Sequence, residues 1–141
     1  MVVLRMLGAL VLGWITSRLV LAGAFAMLRA VWPEYADAEP ERAYTLAMLL
    51  VRLVVFSAMI AATSAVATLV AGDRRFAWVT GGLILAISIP PHALPGEVWD
   101  AYPVWYHLTY LASILPIAVV AGRATPRVAP GAFERSSVAT Q

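Results

Sequence analysis

Arg18, Arg52, His92 and His107 are ionisable side chains set in otherwise apolar sequence, and they are the residues whose types could do chemistry. Guanidinium groups hold anions and hydrogen-bond acceptors, and imidazoles exchange protons near neutral pH. Together the four define a candidate polar cavity able to bind a small anion or to relay protons. His92, Glu97, Asp100 and His107 are also the one cluster of metal-ligand residue types. Their spacing fits no metal motif and Arg18 and Arg52 would oppose a cation, so no metal is expected. Glu97 and Asp100 suit positions at or before a helix N-terminus, where the dipole favours negative charge, or pairing with Arg52 or Arg42.

Other catalytic machinery does not emerge from the residues. The absence of Cys excludes thiolate nucleophiles, disulfides and cysteine-bound metals. No Ser–His–Asp arrangement or pair of hydrolytic carboxylates is recognisable, and Gly81-Gly82 lies in an apolar run without the Lys of a phosphate-binding loop. The chain reads as a non-enzyme, with no catalytic residue and no cofactor. All ten basic residues are Arg and they are scattered, so no nucleic-acid footprint forms.

The elements that position these residues follow from composition. The 141 residues are 62% hydrophobic and 13% charged, against roughly 45–50% and about 25% in soluble domains. Mean hydropathy is +0.82. A span needs about 20 apolar residues, and four stretches meet or approach this, which predicts an all-α bundle of four transmembrane helices over about 6–31, 41–71, 74–89 and 102–121. The first closes at Trp32-Pro33; Pro40-Glu41 suits the first turn of the second, and Gly72 its cap. The third is short, and Pro90-Pro91 is expected to end it. The fourth carries Pro103 in its first turn and Pro116 inside. Residues 1–122 form the transmembrane domain and 123–141 a flexible cytoplasmic tail, rich in small and polar residues without a periodic apolar face. A cleaved signal peptide is the rival reading of the N-terminus, but Arg18 would fall between its apolar core and the Ala24-Phe25-Ala26 cut.

Counted at 1.5 Å per residue from the outer boundary, Arg18 lies about 20 Å deep, Arg52 about 10 Å and His107 about 8 Å. Arg52 is near enough to reach the headgroups by extending its stem. Arg18 is not, and a mid-bilayer Arg costs about 2.5–3.5 kcal/mol even on the lenient insertion scale. Compensation is expected from carbonyls freed by Pro116 or Pro90, or from Ser and Thr on neighbouring helices. Small residues at four-residue spacing mark close helix approaches: Ser57, Ala61, Ser64, Ala65 and Thr68 on the second span, Ala9-Gly13-Ser17 on the first and Gly82-Ala86 on the third.

Arginine placement sets orientation. Arg5, Arg74, Arg75, Arg123, Arg127 and Arg135 fall on one side and only Arg29 and Arg42 on the other, which puts both termini in the cytosol. Glu34, Asp37, Glu39, Glu41, Glu97 and Asp100 lie on the outer side, as do Trp32, Tyr35, Tyr44, Trp99, Tyr102, Trp105, Tyr106 and Tyr110. Interfacial aromatics ordinarily belt both boundaries, so this bias marks the outer end as the recognition face, with Glu97, Trp99, Asp100, Trp105 and Tyr106 as candidate contact residues.

Pro91-His92, the run Pro103-Val104-Trp105-Tyr106-His107-Leu108-Thr109-Tyr110-Leu111, Leu115-Pro116 and Gly122-Arg123 resemble a pattern in uncharacterised small four-helix bacterial inner-membrane proteins, in which Trp-Tyr-His-Leu opens the last helix. The resemblance covers the last two spans more closely than the first two. It implies a bacterial inner-membrane location and transfers no catalytic residue. The leading expectation is a multi-pass accessory or interaction subunit whose partners are the bilayer and another membrane protein or a second copy. The alternative is a small-solute or proton transporter built on the Arg18, Arg52, His92 and His107 cavity.

Overall fold

A computed structural model describes residues 2–126, and among these every regular element is helical. Four helices are long and apolar enough to cross a membrane: α1 (Val2–Val31), α3 (Leu46–Ala71), α4 (Phe76–Ala93) and α6 (Val104–Ala124). Two short helices, α2 (Pro33–Ala38) and α5 (Glu97–Ala101), fill the links where the sequence suggests only loops. The segment expected to be a tail lies outside the described residues from 127 onward, and Arg123 belongs to the last turn of α6.

The ends of the long helices have local causes. Pro33 opens α2 at a position where its missing N–H is not needed. The chain then turns through Arg42, whose φ of 56° is left-handed, with the Ala43 N–H donating to the Ala38 carbonyl at 3.0 Å. α3 therefore starts at Leu46, five residues after the Glu41 start the sequence suggests. Its cap is Thr45, whose hydroxyl accepts from the Met48 N–H while Met48 Sδ accepts from the Thr45 N–H. Gly72 closes the helix at φ 72°, a conformation that a side chain disfavours.

The expectation that Pro90-Pro91 ends the third span at Ile89 is not met: α4 runs through both prolines to Ala93. Proline's fixed φ is compatible with helix, and although each ring removes its own N–H donor and crowds the carbonyl four residues back, the two stand in the last turn, where little helix follows. The Leu94 N–H donates to the Pro90 carbonyl at 3.2 Å and completes the last turn. His92 is thereby a helical residue one turn beyond Ser88.

α3 is the central element, packed against α1, α4 and α6, with α4 and α6 also in contact. Ile60, Ile114 and Ala118 are fully buried, and with Met59 and Tyr110 they form the mid-bundle core. A second cluster joins Ala9, Ala67 and Phe76. Small residues set the closest approaches. Gly13 lies against Thr63 and Ala67 of α3. On α4 the contact falls at Gly81, where a methyl would sit 2.8 Å from Ala118 Cβ, and not at Gly82, which has nothing near it. Gly122 approaches Ala77 so closely that a methyl there would overlap it.

α1 is the least buried of the long helices. Its Ala9 and Gly13 edge meets α3, while Val11, Trp14, Ile15, Leu19 and Met27 are exposed. In water that surface would be unfavourable, but against lipid tails it carries no penalty.

Candidate functional site

Arg52, in the second turn of α3, is enclosed by groups from three neighbouring segments. Its Nη1 donates to the Tyr35 hydroxyl at 2.5 Å and to the Tyr44 hydroxyl at 3.0 Å, and its Nη2 donates to Tyr102 at 3.2 Å. The turn at Arg42 and the cap at Thr45 set Tyr44 beside α3. α2 carries Tyr35, fully buried, over the helix end, and Tyr102 comes from the link between α5 and α6. The guanidinium also lies 4.5 Å from the Tyr44 ring centroid and 4.9 Å from that of Phe25, within the range of cation–π attraction. Tyr44 and Tyr102 stack nearly parallel, 5.9 Å apart.

This arrangement supplies acceptors without supplying a counter-charge. Burial raises the Tyr35 and Tyr44 phenols above the ordinary value, with the nearby Arg52 charge pulling the other way by less. Both remain neutral hydroxyls at physiological pH. The two ion pairs among the described residues use other cations, Arg29 with Glu39 at 2.8 Å and Arg42 with Glu97 at 3.6 Å. Arg52 is therefore the cation left without a carboxylate at this end, and its buried Nε–H has no acceptor among the described residues. Beside it lies a cavity of about 380 Å³ lined by Glu39, which pairs with Arg29, and by Arg42, Tyr44, Arg52, His92 and Tyr102, among others. That volume falls within the range of small-ligand sites.

The histidines form one wall and its support. Nδ1 of His92 and Nδ1 of His107 are 2.9 Å apart, and His107 Nε2 is 3.1 Å from the Trp99 carbonyl and 3.2 Å from that of Tyr102. Carbonyls only accept, so His107 Nε2 carries a hydrogen, and in the neutral ring Nδ1 is an acceptor. His92 Nδ1–H then donates to it, which leaves the His92 Nε2 lone pair free. His107 is fully buried and Trp99 stacks on it at 4.8 Å; Tyr110 lies against His92 and is bonded to Ser88 at 3.2 Å. The continuation of α4 past Pro91 makes this contact between α4 and α6. No group of three His, Cys, Asp or Glu able to hold a metal comes together among the described residues.

Of the four residues expected in one cavity, Arg52 and His92 line it and His107 stands directly behind His92. Arg18 is elsewhere: it is exposed on α1, and its single noted interaction is with the Trp14 ring, 5.6 Å away. Neither carbonyls near the prolines nor hydroxyls of other helices reach it. Of the candidate contact residues, Glu97, Asp100 and Trp105 are exposed, Trp99 is partly covered by its stack on His107, and Tyr106 is buried against Tyr102. Between the two partners considered for Glu97, the structure pairs it with Arg42.

Tyr35, Tyr44 and Tyr102 are the residues around Arg52 that the sequence does not single out, where they read only as interfacial aromatics. The available signal was an arginine one to two turns inside a span with no acid on its own helix, and tyrosines on the links either side. No family model matches the chain, and neither does any curated protein or solved structure. The resemblance noted on the last two spans therefore gains no family, and what can be stated from fold and composition is a helical protein with four apolar helices compatible with a membrane environment.

Proposed function

We propose that the chain is a multi-pass protein of a bacterial inner membrane, with both termini cytoplasmic, acting as a non-enzymatic accessory or interaction subunit whose outer, aromatic and acidic end meets its partner. The observation that carries this reading is Arg52, a guanidinium bonded to three neutral phenols beside an open-rimmed cavity and making no ion pair of its own, while Glu39 on the cavity wall is paired with Arg29. Such a group is fixed in place and still able to bind an acidic or hydrogen-bonding group presented from outside, whether from a protein segment or a lipid headgroup. Exposed Asp100, Glu97 and Trp105 surround that end and supply polar and aromatic contact. Fully buried Ile60, Ile114 and Ala118 fill the bundle at mid-depth below the cavity. That filling favours a seat over a solute path, as does the position of Arg18 outside the cavity.

A photo-crosslinking residue in place of Trp105, in native membranes, tests this. Adducts are expected there, and Arg52→Gln should reduce them while the same probe in place of Trp78 is unaffected. A chain that forms no adduct at Trp105 and purifies as a lone monomer would overturn the reading.

A further inference from the structure

Arg18 is level with the middle of the bundle. Gly13 of α1 sits against Thr63 and Ala67 of α3, and Phe25 packs edge-on against Phe56 at 5.8 Å. The two helices run antiparallel, so Arg18, five residues past Gly13 and seven before Phe25, stands level with about Ile60. Ile60 is about 21 Å from the Leu46 end of α3 and about 16 Å from the Ala71 end, at 1.5 Å per residue. A fully extended arginine cannot bring its charge to either headgroup layer from that depth without distorting the bilayer.

The surroundings of Arg18 are prepared for a helix. It is exposed on the side of α1 turned away from Gly13, and it makes no hydrogen bond or ion pair among the described residues. One and two turns further along the same face are Ala22 and Ala26, both exposed, next to the exposed Gly23, where an added methyl would meet nothing within 4 Å. Small residues at this spacing let another backbone approach closely enough for a side chain to reach the guanidinium. No Asp or Glu occurs in α1, α3, α4 or α6. A second copy of this chain could therefore offer Arg18 no carboxylate at that depth, only another cation and neutral hydroxyls such as Thr16 and Ser17.

We infer that the Arg18 face of α1 docks a transmembrane helix of a different polypeptide, one that carries an Asp or Glu near the bilayer midplane. The ionised carboxylate pairs with the guanidinium while Ala22, Gly23 and Ala26 provide the close crossing. Attraction between full charges in hydrocarbon is screened little, so the pair would select its partner strongly against neutral helices. This surface is lateral and lies away from the outer end, so it stands independently of the function proposed above.

The test uses the full chain in phosphatidylcholine vesicles, with synthetic Leu/Ala helices of about 20 residues, long enough to span, bearing Asp, Leu or Lys at the centre. Association is read by energy transfer at mildly alkaline pH. Wild type should bind the Asp helix at least tenfold more tightly than the Leu helix. Arg18→Leu should abolish that preference, Arg18→Lys should restore most of it, and Arg18→Asp should shift it to the Lys helix. Thermal unfolding of each variant, read alongside, should show an intact bundle, because Arg18 supports no internal contact beyond Trp14. Equal binding of the Asp and Leu helices by wild type would overturn the proposal. So would a preference that survives Arg18→Leu, or self-association of wild type that matches its binding of the Asp helix. The crosslinking at Trp105 reads the outer end by itself, which separates failure here from failure there.

Discussion

Arg52 and Arg18 are the same side chain in opposite surroundings. Arg52 lies one to two turns inside its span, with three phenolic oxygens and several aromatic faces gathered from distant parts of the chain. Arg18 lies at mid-depth on an exposed helix face beside one Trp. The first is tied into the fold by its neighbours, whereas the second has no partner among the described residues beyond Trp14. The difference shows that an arginine within an apolar helix can be either fastened into the fold or left exposed without a polar partner, and that only the packing tells the two apart.

The largest test of that contrast removes the fastening. Arg52→Leu deletes three hydrogen bonds from a charged donor, each contributing about 1.5–3 kcal/mol, and strands the phenols. Because the three act together, the expected loss is about 3–5 kcal/mol, read as a lower unfolding midpoint in detergent or bilayer. Arg18→Leu should move stability the other way, relieving up to about 2.5–3.5 kcal/mol of insertion cost when the chain is alone in a bilayer. Equal destabilisation by both changes would erase the distinction.

The same comparison can be sharpened with glycines. Gly122 lies on the α4–α6 contact and Gly23 on the free face of α1. Gly122→Ala forces the helices apart and should cost about 1–3 kcal/mol. Gly23→Ala should be neutral or mildly stabilising, by up to about 1 kcal/mol through helix propensity. Thermal unfolding of the two variants distinguishes packed from unpartnered surface.

A smaller effect should appear with pH. Tyr35 and Tyr44 are held above the ordinary phenol value by burial, which is about 10 in the unfolded chain. A folded value raised in this way gives stability that is complete below that pH and lost as pH rises through the folded values. The unfolding midpoint should therefore stay level through neutral pH and fall only above about pH 10. Tyr44→Phe should lower the whole curve slightly and flatten its alkaline limb, and an unchanged limb would show that Tyr44 does not titrate against Arg52.

Much of this architecture was legible because membrane thickness imposes a length on apolar runs. α1, α3 and α6 follow from long hydrophobic stretches, each interrupted by few polar residues. α4 is less legible, since Pro90 and Pro91 signal a stop that the helix does not obey, and a stop there would put His92 in a loop instead of on the helix. α2 and α5 are too short to show a period. The site was legible as a set of unusual residues and not as an arrangement. Sequence depth gives Arg52 and His107 a similar level, but helix rotation decides whether a polar group faces inward, and nothing in the run around Arg18 distinguishes its exposed face from the Gly13 face by charge alone. Likewise the phenols around Arg52 come from links whose path depends on the left-handed turn at Arg42, a conformation no motif announces.

The most direct measurement of the proposed topology exploits the absence of Cys from the chain. Asp100→Cys and Asp73→Cys each place a single thiol at opposite ends of the bundle. With a membrane-impermeant maleimide on intact bacterial cells, Asp100→Cys should label at once and Asp73→Cys only after the membrane is opened. Labelling of Asp73→Cys in intact cells, or recovery of the chain in the soluble fraction without detergent, would contradict a four-span protein that presents its Arg52 cage to the outside.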